Sequence, residues 1–242
     1  MIKIAMIPAR YAATRFPFKL MQPLGEKTVI RQTYDNTLAT GLFDDVIVVT
    51  DSEIILNEIR DHGGTAVMSK RQHESGSDRI AEAAAAMNVD IILNVQGDEP
   101  FVHKETLRQL LDAFDDNKVK VASVMKKFTD PALINDPNYV KVVIDKNMNS
   151  LFFSRAVIPF SRDEHFIPNY YEHVGVYAFR KEALLSFTNW PASDMEKSEK
   201  LEQLRYLENG ISIRMVITEQ TGVKIDVPDD LAKAENYLKN KL

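Results

Sequence analysis

Three basic residues lie close together in the loop that follows the first apolar run of the chain. Arg10, Arg15 and Lys19 all come shortly after the strand-like run Ile2–Ile7. Arginine can hold two phosphate oxygens at once and lysine acts as a point charge, so this spacing suits a ligand with several adjacent anions, such as a triphosphate. The alternative is a solvated basic turn, because the loop lacks the glycines of a standard phosphate-binding loop.

Two carboxylates follow later apolar runs and could complete such a site. Asp98 lies in the segment QGDEP, and Asp226 lies between an apolar run and Pro228. A carboxylate that faces phosphates is unfavourable unless a divalent cation lies between them, and Mg²⁺ binds through one or two carboxylates, phosphate oxygens and waters. Asp98 could instead bond the backbone of its own turn. Asp226 is a candidate second metal ligand, whereas Asp229 and Asp230 are better explained as acids at a helix N-terminus.

The segment HESGSDR leads into an alanine-rich helix pattern and could also contact a ligand. Gly76 permits close approach of a backbone, and a helix N-terminus favours anions or carbonyl edges. The flanking Ser75 and Arg79 would then lie at the entry to the helix. An ordinary helix cap at Ser75 or Ser77 explains the pattern equally well.

Polar and aromatic side chains share one face of a later strand pattern, EHVGVYAFR. His173 and Tyr177 alternate with apolar residues along it, so they point to the same side, and such a face suits recognition of a sugar. Glu202, Gln203 and Arg205 form a polar stripe beside the leucines of a helix pattern. Stripes of this kind are usually solvated.

The elements that must position these residues alternate between strands and helices in the first half of the chain. Strand-like runs at 2–7, 45–50, after HGG and at 90–95 are separated by helix patterns. This alternation predicts right-handed βαβ units and a mostly parallel sheet with helices on both faces. Ligands bind at the carboxyl edge of such a sheet, which is where the basic loop and Asp98 are expected.

In the second half of the chain, strand and helix patterns no longer alternate regularly. Three β-rich runs, at 118–128, 140–145 and 150–154, lie close together, and the last two have no helix between them. They predict a smaller, mixed β insertion at approximately 130–180 within a single domain, 1–242. A capping box at Ser193 and Glu196 predicts a helix that continues to about Glu208.

Composition limits the classes of function. The chain has 242 residues, of which 45% are hydrophobic, and it has no cysteine, so neither a disulfide nor a thiolate metal site can form. Its net charge is −5 and it has no long basic run, so nucleic-acid binding is not expected. The N-terminal apolar run, about six residues, is too short for a signal peptide or a membrane span. We therefore expect a soluble cytoplasmic protein without membrane contact.

Nine segments, in this order, resemble the 3-deoxy-manno-octulosonate cytidylyltransferase (CMP-Kdo synthetase) family. They are IPARYAATRFPFKL, VVTDS, HESGSDR, NVQGDEP, NYVKVVID, LFFSRAVIPF, HVGVYAFR, EKLEQLRYLENG and IDVPDDL. The resemblance covers nearly the whole chain. Sialic-acid cytidylyltransferases and other sugar nucleotidyltransferases share the fold and the opening loop, but not LEQLR or NVQGDEP in this arrangement.

The resemblance implies a Rossmann-like nucleotidyltransferase fold of the α/β class and a Mg²⁺-dependent transfer of CMP from CTP to an acidic octulosonate sugar (Kdo) for lipopolysaccharide biosynthesis. It implies a homodimer formed through the β insertion. The triphosphate contacts that it implies, also counted with Asp98 as catalytic, are Arg10, Arg15 and Lys19. The implied cytidine site includes Pro8, Ala9, Ser75, Arg79 and Gln96. The implied metal ligands are Asp98 and Asp226. The implied sugar pocket comprises Arg155, His173, Tyr177, Glu202 and Gln203.

The chain departs from the family pattern at a few positions. The family usually has glycine where this chain has Phe18, proline at Leu20 and threonine at Val227. Because a phenylalanine adopts a positive φ only with strain, the first substitution bears on the geometry of the loop around Lys19. None of the changes removes a charged group.

Three other functions are compatible with parts of the sequence, and a fourth is disfavoured. The first is the same reaction on the 8-amino sugar, which the residues do not distinguish from the 8-hydroxy sugar. The second is another sugar nucleotidyltransferase, acting on UTP or a sialic acid. The third is a catalytically silent nucleotide-binding domain whose loop is altered at Phe18. A Rossmann dehydrogenase is disfavoured, because no G-x-G-x-x-G motif follows the first strand.

Overall fold

The computed structural model describes residues 1–12, 16–73, 75–163, 165–166, 168–220 and 222–240. The strands in chain order are β1 Lys3–Ala9, β2 Pro23–Leu24, β3 Lys27–Thr28, β4 Asp45–Thr50, β5 Thr65–Met68, β6 Ile91–Asn94, β7 Val121–Lys127, β8 Lys141–Ile144, β9 Ser150–Ser154, β10 Tyr171–Arg180 and β11 Ile213–Ile217. The α-helices are α1 Val29–Ala39, α2 Glu53–Arg60, α3 Gly76–Ala85, α4 Lys104–Asp112, α5 Lys181–Asn189, α6 Asp194–Glu199, α7 Leu204–Glu208 and α8 Pro228–Lys239.

The chain divides into two compact units. Unit 1 consists of Met1–Leu107 and Thr221–Leu242, and unit 2 is Arg108–Gln220. The single domain, 1–242, stays a prediction, because the compactness of two parts does not test whether each folds alone. In the part of the chain that the structure describes, no helix is both long and apolar enough to cross a membrane.

Unit 1 is built on a parallel sheet with the order β6-β1-β4-β5. β1 pairs in parallel with β4 on one side and with β6 on the other, and β4 pairs in parallel with β5. The apolar residues of β1, β4 and β6 are almost fully buried, as expected where helices cover both faces of a sheet. The predicted parallel α/β arrangement is therefore confirmed in this unit.

Side-chain caps and a glycine mark helix ends in unit 1. The hydroxyl oxygen of Thr28 accepts a hydrogen bond from the backbone N–H of Arg31 at 3.2 Å and so caps α1. The Ser75 side chain caps α3 in the same way, accepting from Asp78 N–H at 3.1 Å. Gly41, at φ 64°, follows α1 in the left-handed conformation that is typical of a glycine just beyond a helix C-terminus.

Unit 2 contains mixed strand pairs, as predicted for the second half of the chain. β11 and β7 are parallel, whereas β7 with β10, β10 with β8 and β8 with β9 are antiparallel. The β7–β10 register shifts between Val174 and Tyr177, which marks an irregularity in β10. The tight connection between β8 and β9 has Met148 at φ 63°.

One predicted helix is wrong in extent. The pattern from Ser193 to about Glu208 forms two short helices, α6 and α7, because Lys200 adopts a left-handed conformation with φ 55°. The capping box at Ser193 and Glu196 is present and opens α6. Tertiary contacts override the local pattern at the break: the Glu199 carboxylate accepts from the Ser154 hydroxyl at 2.6 Å and from Arg155 N–H at 2.9 Å.

Candidate active site

The ammonium group of Lys19 joins the two carboxylates that the sequence selects as metal ligands. It makes a short ion pair with Asp98 and lies 3.3 Å from Oδ1 of Asp226. It also donates to the carbonyl oxygen of Ile225 at 3.2 Å. The backbone connects the two carboxylate segments as well, because Ile225 N–H donates to the Asp98 carbonyl at 3.0 Å. All of these groups belong to unit 1.

A glycine and a threonine hold the Asp98 loop against the end of β1. The Thr33 hydroxyl, on α1, donates to the Gly97 carbonyl at 2.9 Å. A Cβ atom at Gly97 would lie 3.2 Å from both the Pro8 carbonyl oxygen and Cδ1 of Ile30, which is tighter than most real contacts. The absence of a side chain at Gly97 therefore lets the QGDEP loop approach the basic loop closely.

Phe18 keeps the backbone conformation that a glycine would adopt without strain. Its φ and ψ are 57° and 24°, in the left-handed region, and it directly precedes the short 3₁₀ turn Lys19–Met21. Met21 N–H donates to the Phe18 carbonyl at 2.9 Å and closes that turn. The Phe18 ring is about half exposed and packs against Tyr11, with ring centroids 4.5 Å apart. The substitution is thus accommodated, at a cost of about 1–2 kcal/mol for a non-glycine residue in this conformation.

The cluster around Lys19 contains two residues that the sequence reasoning missed. Lys224 Nζ lies 3.2 Å from Oδ2 of Asp226, the oxygen that faces away from Lys19. Burial acts to raise the pKa of Asp226, but Lys224 and Lys19 outweigh it and hold the pKa below its ordinary value. Glu99 has its pKa raised to about 7 by burial and by the neighbouring charge of Asp98. The signal for Lys224 was its position two residues before Asp226, which places both side chains on one side of an extended segment.

Asp230 positions the Asp226 segment from the first turn of α8. Its Oδ2 accepts hydrogen bonds from Asp226 N–H at 3.1 Å and Val227 N–H at 3.2 Å. These two bonds satisfy the backbone N–H groups of the residue before the helix N-cap and of the N-cap itself. The helix N-terminal role predicted for Asp230 is therefore what its contacts indicate.

The predicted cytidine residues of unit 1 lie at the end of β1 and the start of α3. Gly76 allows this proximity, since a Cβ there would lie 3.0 Å from Cγ of Pro8. The Arg79 guanidinium is buried and bonds to protein groups: Asp51 Oδ2 at 2.7 Å and the Ala9 carbonyl at 3.3 Å. Ser75 uses its hydroxyl in the α3 cap. In this structure, therefore, Arg79 holds the backbone at the end of β1, and Ser75 holds the first turn of α3.

The remaining predicted nucleotide residues differ in accessibility. Arg10 is exposed and Gln96 is partly buried. Arg15 lies outside the described residues.

Three predicted sugar-pocket residues of unit 2 meet around a histidine. The Gln203 amide donates to Nδ1 of His173 at 3.4 Å, and Nε2 lies 3.1 Å from the Ser123 hydroxyl, which donates to the Val176 carbonyl at 2.9 Å. This chain of donors places the imidazole proton on Nε2. The His173 ring also contacts the Tyr177 ring, with centroids 5.4 Å apart.

The His173 side chain is neutral at physiological pH. Burial lowers its pKa to about 3, so it cannot supply a positive charge to a carboxylate. Burial together with the charge of Glu202 raises the pKa of Tyr177 well above its ordinary value, so this phenol stays protonated. Glu202 is exposed, and Gln203 is buried. The network therefore offers neutral hydrogen-bonding groups, which suit hydroxyls better than anions.

Arg155 and Lys141 cross-brace three segments of unit 2. The Arg155 guanidinium donates to the carbonyls of Glu199 at 2.8 Å and Pro137 at 2.9 Å. The Lys141 ammonium, fully buried, donates to the carbonyls of Arg155 at 2.5 Å and Tyr139 at 2.8 Å. Backbone carbonyls leave no trace in a sequence, so neither set of partners could be read from it.

The carboxylate pair fits a magnesium site whose ligands come partly from the protein and partly from the substrate. Among the residues that the structure describes, no three histidine, aspartate or glutamate side chains converge to hold a metal ion by themselves. Asp98 and Asp226 converge on one cation, the Lys19 ammonium. Mg²⁺ typically takes one or two protein carboxylates and completes its octahedron with substrate phosphates and waters, so two converging carboxylates beside a basic loop fit that ion.

Comparison with known proteins identifies the fold and the family of the chain. The family model described as cytidylyltransferase matches residues 4–214. A 3-deoxy-manno-octulosonate cytidylyltransferase of Flavobacterium johnsoniae is 54% identical over 98% of both chains, and one of Christiangramia forsetii is 49% identical over 97% of this chain and 96% of its own. A solved CMP:2-keto-3-deoxy-manno-octonic acid synthetase complexed with CTP is 34% identical, covers 100% of both chains and superimposes with a TM-score of 0.95.

A cytidylyltransferase fold, with two carboxylates that converge on a lysine, is therefore what the sequence and structure define. With such identities over the full length, the chain belongs to the 3-deoxy-manno-octulosonate cytidylyltransferase family. The fold is also found in more distant enzymes: a 4-diphosphocytidyl-2C-methyl-D-erythritol synthase from Anaerococcus prevotii is 18% identical and superimposes with a TM-score of 0.66.

Proposed function

We propose that this protein transfers CMP from CTP to the anomeric hydroxyl of 3-deoxy-D-manno-octulosonate (Kdo), giving CMP-Kdo and pyrophosphate. The observation that carries the proposal is the convergence of Asp98 and Asp226 on Lys19, which begins a turn next to the basic loop at the carboxyl end of β1. Relatives at 54% and 49% identity bear the name of this activity, and the solved synthetase binds CTP. The activated sugar would serve lipopolysaccharide biosynthesis.

The reaction needs an in-line displacement at the α-phosphorus. The anomeric oxygen of the sugar forms a new bond to that phosphorus, the bond to the β-phosphate oxygen breaks, and pyrophosphate leaves with the electron pair. The hydroxyl proton passes to solvent. Little covalent work falls to the protein, so positioning and charge stabilisation are its main contributions. Arg10 and Lys19 would hold the departing pyrophosphate, with Arg15 assigned to the same task by resemblance.

Asp98 and Asp226 would hold Mg²⁺. When bound, this ion would supply Lewis-acid stabilisation of the α-phosphate charge and lower the pKa of the attacking hydroxyl. Removal of divalent cations with EDTA should abolish turnover, and added Mg²⁺ should restore it. Full turnover in EDTA would contradict the metal role.

Unit 2 would provide the sugar pocket. The neutral His173, Tyr177 and Gln203 offer hydrogen bonds for sugar hydroxyls. Arg155 is the only cation among the five residues assigned to this pocket, so the sugar carboxylate would fall to it. Its present carbonyl partners, at Glu199 and Pro137, would be exchanged or shared on binding.

We also propose that the protein acts as a homodimer in the cytoplasm, where CTP is made. Three large apolar side chains of unit 2 are strongly exposed: Leu151 at 61%, Phe160 at 85% and Phe166 at 66%. Exposed apolar side chains grouped in one segment are typical of protein–protein interfaces. Analytical ultracentrifugation of the wild type and of Phe160→Ser tests this; a monomeric wild type would exclude the dimer.

The test of the activity is pyrophosphate release with CTP, Mg²⁺ and Kdo, beside a reaction without sugar. Sugar-dependent release supports the proposal. Release with the 8-amino sugar in place of Kdo would support the first alternative substrate, and release with UTP or a sialic acid would indicate another sugar nucleotidyltransferase. CTP binding without release on any sugar would favour the silent nucleotide-binding domain. The glycine-like conformation of Phe18 argues that the substitution leaves the backbone next to Lys19 in the conformation a glycine would adopt, and hence favours catalysis.

A further inference from the structure

The carboxylate pair of unit 1 already carries two positive charges of its own. Lys19 contacts both carboxylates, and Lys224 contacts the outer oxygen of Asp226 at 3.2 Å. Two aspartates and two lysines give the four side chains a balanced charge. The Lys19 and Asp98 side chains are only 16% and 14% exposed, so water screens their ion pair weakly.

Lys19 lies where a cation shared by both carboxylates must bind. A divalent ion held by Asp98 and Asp226 would therefore take the place of the Lys19 ammonium. The displaced ammonium, and that of Lys224, would then lie beside a doubly charged ion that competes for the carboxylates that now neutralise them. Such a like-charge arrangement in a partly buried site is strongly unfavourable. A metal ion alone is thus a poor ligand for this site.

A polyphosphate removes this obstacle, because it brings the anions that the two ammonium groups lose. We propose that Lys19 and Lys224 are the resident counter-ions of the Asp98–Asp226 pair, and that the site accepts a divalent cation only together with a nucleotide polyphosphate to which both ammonium groups transfer. This inference rests on the proposed function and deepens it. It adds Lys224 to the nucleotide site, and it makes metal and CTP binding mutually dependent.

The experiment measures metal binding without nucleotide or sugar. Mn²⁺ serves as the probe, since it binds to the same oxygen ligands as Mg²⁺, and its free concentration is followed by electron paramagnetic resonance. Wild-type protein is compared with Lys19→Met and Lys224→Met, because methionine has a similar length, no charge and no oxygen ligand. Lys233→Met is the matched control: it removes the same charge from an exposed lysine that pairs with Asp230 and not with the carboxylate pair.

We expect Lys19→Met to bind Mn²⁺ alone about tenfold more tightly than wild type. Lys224→Met should show a smaller gain in the same direction, because its side chain is 49% exposed, and Lys233→Met should match wild type. Calorimetry with CTP at saturating Mg²⁺ should show weaker binding by both Lys19→Met and Lys224→Met. Equal Mn²⁺ affinity in wild type and Lys19→Met would overturn the proposal, and undiminished CTP binding by Lys224→Met would remove Lys224 from the nucleotide site.

The outcomes remain separable from those of the activity assay. If Lys19→Met does not fold, the half-exposed Lys224→Met tests the same competition by itself. A gain in Mn²⁺ affinity without turnover on any sugar would leave this inference standing while the proposed reaction fails. Turnover on Kdo with equal Mn²⁺ affinities in wild type and variants would support the proposed reaction and overturn this inference.

Discussion

Replacing Phe18 by alanine and by glycine should reverse the usual order of stability of these two residues. Phe18 has φ 57° and ψ 24°, where any residue with a Cβ is strained. The left-handed conformation costs an L-residue about 1–2 kcal/mol, and glycine none. Alanine recovers about 0.4–1 kcal/mol by restricting the unfolded chain. The difference leaves Phe18→Gly about 0.5–1 kcal/mol more stable than Phe18→Ala.

Both substitutions remove the same ring contact with Tyr11, so that loss cancels in the comparison. Asn57, exposed in the middle of α2, provides the matched control. At this right-handed position the glycine variant should be about 1 kcal/mol less stable than the alanine variant. The sign of the glycine-minus-alanine difference should therefore change between positions 18 and 57.

Urea unfolding of the four variants, followed by circular dichroism, measures these differences. Phe18→Gly should also keep the turnover of the wild type, because the backbone that presents Lys19 is already in the conformation glycine prefers. If Phe18→Ala proves as stable as Phe18→Gly, the loop does not hold a left-handed residue at this position and the strain argument fails. Loss of turnover in Phe18→Gly would show that the ring itself serves the reaction.

Three further predictions concern single side chains. Asp98→Asn should lower turnover by roughly 10²-fold or more with the fold intact by circular dichroism, and near-normal rates would refute the metal role. Arg205→Met should lower the free energy of unfolding by about 3 kcal/mol, because it leaves the bidentate partner Glu196, 10% exposed, without its counter-ion; an effect below about 1 kcal/mol would contradict this. Val227→Thr should raise it by about 0.5–1 kcal/mol through a new N-cap on α8, because the hydroxyl would accept from a backbone N–H of the first helical turn, and an unchanged urea midpoint would contradict this.

The pair of Glu196 and Arg205 also fixes the sign of a pH dependence. Burial acts to raise the pKa of Glu196, but hydrogen bonds from Arg205 and Ser193 lower it below the ordinary value of 4.5. The stabilisation is therefore present above the unfolded-state pKa and is lost as the pH falls through the lower, folded-state value. Urea midpoints of wild type should decline over this acidic range more steeply than those of Glu196→Gln.

Much of unit 1 could be predicted because its central strands β1, β4 and β6 are largely apolar runs. Such runs identify buried parallel strands, and their carboxyl ends locate the site edge, so the meeting of Lys19 and Asp98 followed from topology, whereas the approach of Asp226 did not. Lys224 was missed because a lysine next to an acid is usually just solvated. The sequence indicated strain at Phe18. It could not show whether the loop backbone would change its conformation or whether Phe18 would adopt the left-handed conformation.

Unit 2 was less predictable because its polar residues bond to partners that a sequence does not display. Lys141 and Arg155 bond to backbone carbonyls, and the break at Lys200 depends on contacts of Glu199 with β9 and the residue after it. Ser123, inside an otherwise apolar strand, was the one visible sign of a buried network. Arg205 was expected to be solvated, and instead it forms an ion pair with Glu196.

The site of unit 1 joins parts of the chain that are far apart in sequence. Lys19 and Asp226 are separated by 207 positions, and Lys19 and Asp98 by 79. Closing so long a loop costs chain entropy before any contact repays it, so we expect these ion pairs to form after the local βαβ contacts and late in folding. Interactions absent from the folding transition state act on the unfolding rate. We therefore expect the charged centre to change how long the folded protein persists more than how fast the chain folds.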